Sequence, residues 1–113
     1  MPHFILEHSP DIPGDQISDT LDALFAAASD HPEFPDPAAI KMRALPCAQQ
    51  RMAGKVHSFA HLTIKLLTGR DTPTKAALAQ DMLMVLDAQL PQVGQLTVDP
   101  RDMARDTYAK RIL

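Results

Sequence analysis

The pattern of hydrophobic and polar positions predicts a strand, a helix and a strand in the first half of this chain. Residues 2–8 carry apolar side chains on both faces of the strand period, which is typical of an inner strand of a covered sheet. Residues 15–29 predict an amphipathic helix, because the spacing of one helical stripe is kept by Ile17, Leu21, Leu24, Phe25 and Ala28. Residues 40–45 alternate cleanly, with Lys41 and Arg43 on the polar face, and predict the second strand.

The second half of the chain predicts the same order of strand, helix and strand. Residues 56–67 form the longest apolar run and predict a central strand. Thr72 is placed as the N-cap of a second helix, with Pro73 as its first residue. The apolar stripe of this helix comprises Ala79, Met82, Leu83, Leu86 and Leu90. Residues 96–98 predict a last strand, after which Asp99-Pro100 is expected to turn the chain into a polar tail.

Two halves of similar length, about 2–45 and 56–99, therefore share one arrangement. Parallel strands need helical crossovers, so the simplest fold is an α+β or α/β structure of duplicated β-α-β units, with one sheet and two helices on one of its faces. The 113 residues suit a single domain spanning 1–113. A domain of this size leaves apolar surface and sheet edges to cover, and we expect an oligomer.

Charge and composition exclude several classes of function. The net charge is −3, and aromatic and basic residues are not interleaved, which argues against binding to nucleic acid or to a membrane surface. We find no secretion signal and no run of roughly 20 apolar residues that would cross a bilayer, so the expected compartment is the cytoplasm. Cys47 is the single cysteine, which excludes an internal disulfide and is interpreted as structural.

Pro2 becomes the N-terminal residue if Met1 is removed, and it would then carry a free secondary amine. One interpretation is an ordinary protein start, since proline suits the first position of a strand. The other is a general base. An α-amino group has a reference pKa of about 7.7–8.0, and burial beside cations lowers this pKa toward the working pH of a base.

Three cationic side chains are candidates for binding anions. Lys41 and Arg43 lie roughly 6–7 Å apart on one strand face, a separation that suits carboxylates but also fits a solvated face. Arg70 precedes a helix N-terminus, where backbone N–H groups favour anions, although loop arginines are common. We expect no metal site, because His57 and His61 on one strand would lie roughly 13 Å apart.

Five groups of residues, in order along nearly the whole chain, carry a resemblance to a known family. These are Pro2-His3-Phe4-Ile5 with Glu7, Phe34-Pro35, Ile40 with Arg43, Phe59-x-His61-x-Thr63-x-Lys65, and Gly69-Arg70. Together they resemble the 5-carboxymethyl-2-hydroxymuconate Δ-isomerases of the tautomerase superfamily. No single group is decisive, whereas their joint occurrence is fairly specific.

The resemblance implies a trimer of duplicated β-α-β chains and a cofactor-free 1,3-proton shift in the breakdown of homoprotocatechuate. Pro2 would be the base, and Arg70, Arg43 and Lys41 would hold the substrate carboxylates and stabilise a dienolate. The family pattern Ile-Arg-x-Arg is altered at Lys41, which replaces a bidentate fork with a point charge and predicts a change in carboxylate affinity or substrate choice.

Two alternatives share the same sequence features. One is another tautomerase, acting on a phenylpyruvate-type keto-enol pair with the same proline chemistry. The other is a non-catalytic trimeric binding module, which retention of Met1 would favour because acylation removes the basicity of the Pro2 nitrogen. Separation of Pro2 from Arg70 and Arg43 in the assembled trimer would also favour this module.

Overall fold

A computed structural model describes all residues, 1–113, and has two helices on one face of a four-stranded sheet. The strands are β1 (His3–His8), β2 (Lys41–Pro46), β3 (Phe59–Leu67) and β4 (Gln95–Met103), and the helices are α1 (Gly14–Ser29) and α2 (Thr72–Gln89). A short 3-10 helix, Pro37–Ala39, precedes β2. The predicted order of strand, helix and strand, occurring twice, is confirmed.

The sheet has the strand order β2-β1-β3-β4, which places the two halves side by side. β1 is parallel to β2, and β3 is parallel to β4, as helical crossovers require. β1 and β3 are antiparallel and join the halves at the centre of the sheet. The prediction of inner strands at both positions is therefore confirmed.

The core lies between the two helices and the face of the sheet that they cover. Its fully buried members include Phe4, Leu6, Leu62, Ile64, Leu24, Met82 and Leu86. One residue of the predicted apolar stripe of α1 is not buried: Phe25, at the edge of the stripe, is 41% exposed. The opposite face of the sheet is left open by this chain and carries the polar residues of the strands.

The start of α2 differs from the predicted cap by one residue. Asp71, not Thr72, is the N-cap, and its carboxylate accepts a hydrogen bond of 2.9 Å from the backbone N–H of Thr74. Hydrogen bonding from Thr74, by its side chain first and then by its backbone N–H, lowers the pKa of the Asp71 carboxyl. Pro73 lies in the first turn, where its missing N–H costs no helical hydrogen bond.

Two strand boundaries predicted from the sequence are wrong. β3 begins at Phe59, so Val56 and His57 lie in the loop before it. β4 does not end at a turn but continues through Pro100 to Met103, because it pairs with β3 along the full length of both strands. β4 is an edge strand in this chain, and an edge tolerates a proline that has no N–H to donate.

Neither helix combines the length and the apolar character that spanning a membrane requires.

The separation predicted for His57 and His61 assumed that both residues lie on one strand. His57 lies in the loop before β3, so that assumption is wrong. The fold brings together no group of three side chains from His, Cys, Asp or Glu that would hold a metal ion.

Candidate active site

Pro2 is buried at the start of β1, and its backbone is held by the neighbouring strand. Its carbonyl oxygen accepts a hydrogen bond of 3.0 Å from the N–H of Lys41, the first residue of β2. Met1 precedes it and is half-buried. While Met1 is attached, the Pro2 nitrogen is an amide.

Two small cavities meet at this end of the sheet. One has a volume of about 210 Å³ and is lined by Met1, Pro2, Ala39, Arg70 and the segment 33–36. The other, of about 170 Å³, is lined by Met1, Pro2, Leu66, Leu67, Arg70 and Arg105. Met1, Pro2 and Arg70 therefore belong to both. A larger groove of about 370 Å³ lies beside α2, but no cationic side chain lines it.

Arg70 is held rigidly between β3 and α2. It follows Gly69, whose φ of +140° is a backbone conformation that side chains disfavour. The Arg70 Nε donates to the Glu33 carboxylate at 2.8 Å, and Nη2 donates to the Glu33 carbonyl at 2.9 Å. The guanidinium also lies 5.7 Å from the centre of the Phe34 ring. Nη1 makes one long contact of 3.5 Å to the Leu67 carbonyl, so part of the five-donor fork remains available to an anion.

The surroundings of the N-terminus disfavour a charged amine. Burial lowers the pKa of the Met1 amine below its ordinary value, and the positive charges of Lys41, Lys110 and Arg70 lower it further, whereas Asp36 opposes them. Pro2 is buried more deeply than Met1. An amine located at Pro2 would meet at least the same desolvation, so the neutral, basic form would be favoured there.

Lys41 and Arg43 occupy different positions relative to Pro2. The Lys41 ammonium donates at 2.8 Å to the carbonyl of Ala39, a residue that lines the 210 Å³ cavity, but Lys41 itself does not line it. Arg43 lies opposite Ile5 in the sheet register, on the open face, and lines neither cavity. The structure therefore brings Pro2 and Arg70 together in the two cavities, whereas Lys41 and Arg43 share the open face of the sheet and line neither cavity. The positive charge of Lys41 nevertheless acts on the N-terminus, where it lowers the pKa of the Met1 amine.

Arg43 instead contacts His3, the residue after Pro2. Its Nη1 lies 3.3 Å from His3 Nδ1, and since a guanidinium only donates, Nδ1 accepts and the ring proton is on Nε2. Burial lowers the pKa of His3, and the positive charges of Arg43 and Lys41 lower it further. The neutral ring then donates from Nε2 to the hydroxyl oxygen of Tyr108, at 2.9 Å.

Sequence reasoning missed three residues that the fold brings to this site. Glu33 fixes Arg70, as described above. Arg105 and Tyr108 lie in the segment after β4, which was expected to be only a polar tail. Arg105 donates from Nε to the Thr68 carbonyl at 2.6 Å and lines the 170 Å³ cavity. No local pattern marks any of the three, because their partners lie 37 or more residues away.

Known proteins resemble this chain over most of its length. The model of a family described as 5-carboxymethyl-2-hydroxymuconate isomerase matches residues 2–97. No curated protein matches it. Among solved structures, a 5-carboxymethyl-2-hydroxymuconate isomerase from Deinococcus radiodurans R1 has a TM-score of 0.84 and 21% identity, covering 97% of this chain and 88% of that one.

Two further solved structures extend the fold comparison. A fused 4-OT, described as a symmetric trimer, has a TM-score of 0.75 and 20% identity, with 96% of this chain and 90% of that one covered. A macrophage migration inhibitory factor-like protein from Entamoeba histolytica has a TM-score of 0.72 and 15% identity, with 97% and 95% covered. At these identities the likeness concerns the fold.

Proposed function

This chain belongs to the 5-carboxymethyl-2-hydroxymuconate isomerase family, and we propose that it isomerises that unsaturated tricarboxylate with the Pro2 amine as general base and without a cofactor. The observation that carries the proposal is the position of Pro2, buried in the shared wall of two cavities that also contain Arg70. A base, a space for a ligand and a cation for its carboxylates thus lie at one place.

The reaction needs Met1 to be removed. Removal converts the Pro2 amide into a secondary amine with a basic lone pair. Met1 also lines both cavities, so its loss opens both toward the Pro2 nitrogen. The amine then takes a proton from the conjugated keto or enol system of the substrate and returns it to another carbon, with no net change in atoms or electrons.

The cations around Pro2 hold the substrate and stabilise the dienolate formed between the two proton transfers. Arg70 is a carboxylate-binding residue of this proposal, because its fork is fixed by Glu33 and keeps donors free. Lys41 adds a positive charge near the N-terminus, which favours an anionic intermediate and a neutral base together. Arg43 lies on the open face, where its hydrogen bond to His3 Nδ1 sets the tautomer of that ring.

We further propose a homotrimeric assembly, located in the cytoplasm and acting in aromatic catabolism. The trimeric state described for the fused 4-OT of the same fold supports the assembly. The sheet face opposite the helices is left uncovered by this chain, and it carries Arg43 and Ile5. A neighbouring copy packed on that face would meet Arg43, which would place this residue at a junction between subunits.

A comparison of substrates tests the proposed reaction. Protein shown by intact mass to begin at Pro2 is assayed in the ultraviolet with 5-carboxymethyl-2-hydroxymuconate and with the enol of phenylpyruvate. We expect kcat/KM to be at least about 10²-fold higher for the tricarboxylate, because each charge-assisted hydrogen bond contributes roughly 1.5–3 kcal/mol. Preference for phenylpyruvate would indicate the other tautomerase, and no turnover of either would indicate a binding module.

The pH profile of kcat/KM should report the amine and respond to Lys41. Activity is expected to fall as the pH drops below the pKa of the Pro2 amine, because the protonated amine is no longer a base. Lys41→Gln removes a positive charge that lowers the N-terminal pKa, so the acidic limb should move to higher pH. Lys55→Gln, which removes an exposed lysine from a distant loop, should leave the limb in place. An unmoved limb in Lys41→Gln would show that Lys41 does not act on the base.

A further inference from the structure

The two cavities beside Pro2 differ in charge. The 210 Å³ cavity has the carboxylates of Glu33 and Asp36 in its lining. The 170 Å³ cavity has two arginines, Arg70 and Arg105, and no acidic residue. A carboxylate entering the second cavity would meet two guanidinium groups and no acidic residue in the lining, and only Arg70 has a carboxylate partner, Glu33. This makes the second cavity the better place for one end of a polyanion.

Arg105 is fixed in position but keeps most of its donors free. Its Nε donates at 2.6 Å to the carbonyl of Thr68, which is two residues before Arg70 in the chain. No carboxylate lies within ion-pair distance of it. Nη1 and Nη2 donate to no protein atom, so a parallel pair of N–H groups is available for bidentate binding.

The segment that carries Arg105 is attached on both sides of the site. After β4, a turn forms in which the N–H groups of Thr107 and Tyr108 donate to the Ala104 carbonyl. The Tyr108 hydroxyl then bonds to His3 at 2.9 Å, and the two rings meet edge to face. The segment is thus attached at two points. Arg105 bonds to Thr68, just before Arg70, and Tyr108 bonds to His3, just after Pro2.

We propose that Arg105 is a carboxylate-binding residue that, together with Arg70, holds one carboxylate of the polyanionic substrate in the 170 Å³ cavity. This inference rests on the proposed function for the identity of the substrate, but the binding of a polycarboxylate does not require turnover. Arg105 supplies a second guanidinium on the side of Pro2 away from Glu33. Ligands with an additional carboxylate branch gain affinity from it.

Direct binding tests this role independently of catalysis. Calorimetry on protein that begins at Pro2 measures the Kd of 2-(carboxymethyl)hexanedioate, which has three carboxylates, and of hexanedioate, which has two. The variants are Arg105→Gln, Arg105→Lys and the control Arg111→Gln, which removes the same charge from an exposed tail residue without hydrogen bonds or ion pairs. Thermal unfolding of each variant verifies the fold.

Arg105→Gln is expected to raise the Kd of the three-carboxylate ligand by about 10-fold, with a smaller rise for hexanedioate. Arg105→Lys should recover only part of the affinity, because a lysine lacks the planar fork. In turnover, KM for the tricarboxylate should rise while kcat changes much less. Arg111→Gln should alter neither Kd nor KM.

The outcomes separate this inference from the proposed function. If the tricarboxylate is isomerised and Arg105→Gln binds both ligands like Arg111→Gln, the role of Arg105 is overturned and the isomerase proposal stands. If the tricarboxylate is not isomerised but Arg105→Gln selectively weakens three-carboxylate binding, the isomerase proposal is overturned and the role of Arg105 stands. If the unaltered protein neither binds nor isomerises polycarboxylates, both proposals are overturned.

Discussion

Acylation of the Pro2 nitrogen should lower kcat/KM for the tricarboxylate by roughly 10²- to 10⁴-fold, the range that a positioned general base contributes. One added serine between Met1 and Pro2 achieves this, since removal of the initiator methionine then leaves Pro2 within a peptide bond. An amide nitrogen has no basic lone pair, so the proton transfer would lose its base. Steady-state kinetics, with intact mass to define each N-terminus, makes the measurement.

Two comparisons isolate the chemistry of the amine from the fold. Pro2→Ala keeps an N-terminal amine, although a primary and more flexible one, and its turnover should fall well below that of the unaltered protein while its stability changes little. Pro10→Ala, at an exposed proline after β1, should leave turnover unchanged. Native turnover in the serine-extended protein would remove Pro2 from the mechanism.

Arg70→Gln should lower kcat/KM by roughly 10²-fold, because it removes a preorganised cation from the place where negative charge develops. It also deletes the hydrogen bonds of 2.8 and 2.9 Å to Glu33, which should lower the free energy of unfolding by about 1–3 kcal/mol. Kinetics and chemical denaturation on the same protein measure the two effects separately. Arg70→Lys should recover part of the activity, since charge returns without the fork.

Glu33→Gln is the matched control for the structural part of this effect. It weakens the same ion pair but leaves the positive charge of Arg70 beside Pro2. We expect a comparable loss of stability with a much smaller loss of kcat/KM. Equal losses of activity in Arg70→Gln and Glu33→Gln would mean that Arg70 only supports the segment around Phe34 and does not bind the substrate.

Several elements were predictable because burial imposes a period on the sequence. β1 and α1 were predicted within one residue at each end, since β1 has apolar side chains on both faces and α1 has one clear stripe. The end of β4 was predicted wrongly, because the Asp99-Pro100 pair is a local turn signal. Pairing with β3 outweighs that signal, and the edge position removes the need for an N–H at Pro100.

The candidate site was predictable only in part. Pro2 and Arg70 stand out by chemistry and by family resemblance, and the fold places both in the same cavities. The sequence also grouped Lys41 with Arg43, because two residues two apart on a strand share a face. It contained no information on where that face lies relative to Pro2, and the fold places neither side chain in the lining of the two cavities.

Periodicity by itself determined the two β-α-β units, because the alternation of buried and exposed positions is a local property of each strand and helix. Only the tertiary structure decided that β1 and β3 pair in opposite directions and that the tail returns to the start of the chain. His3 and Tyr108 are 105 residues apart. Contacts of this kind depend on the packing of the whole sheet and leave no period in the sequence, which is why Arg105 and Tyr108 emerged from the fold alone.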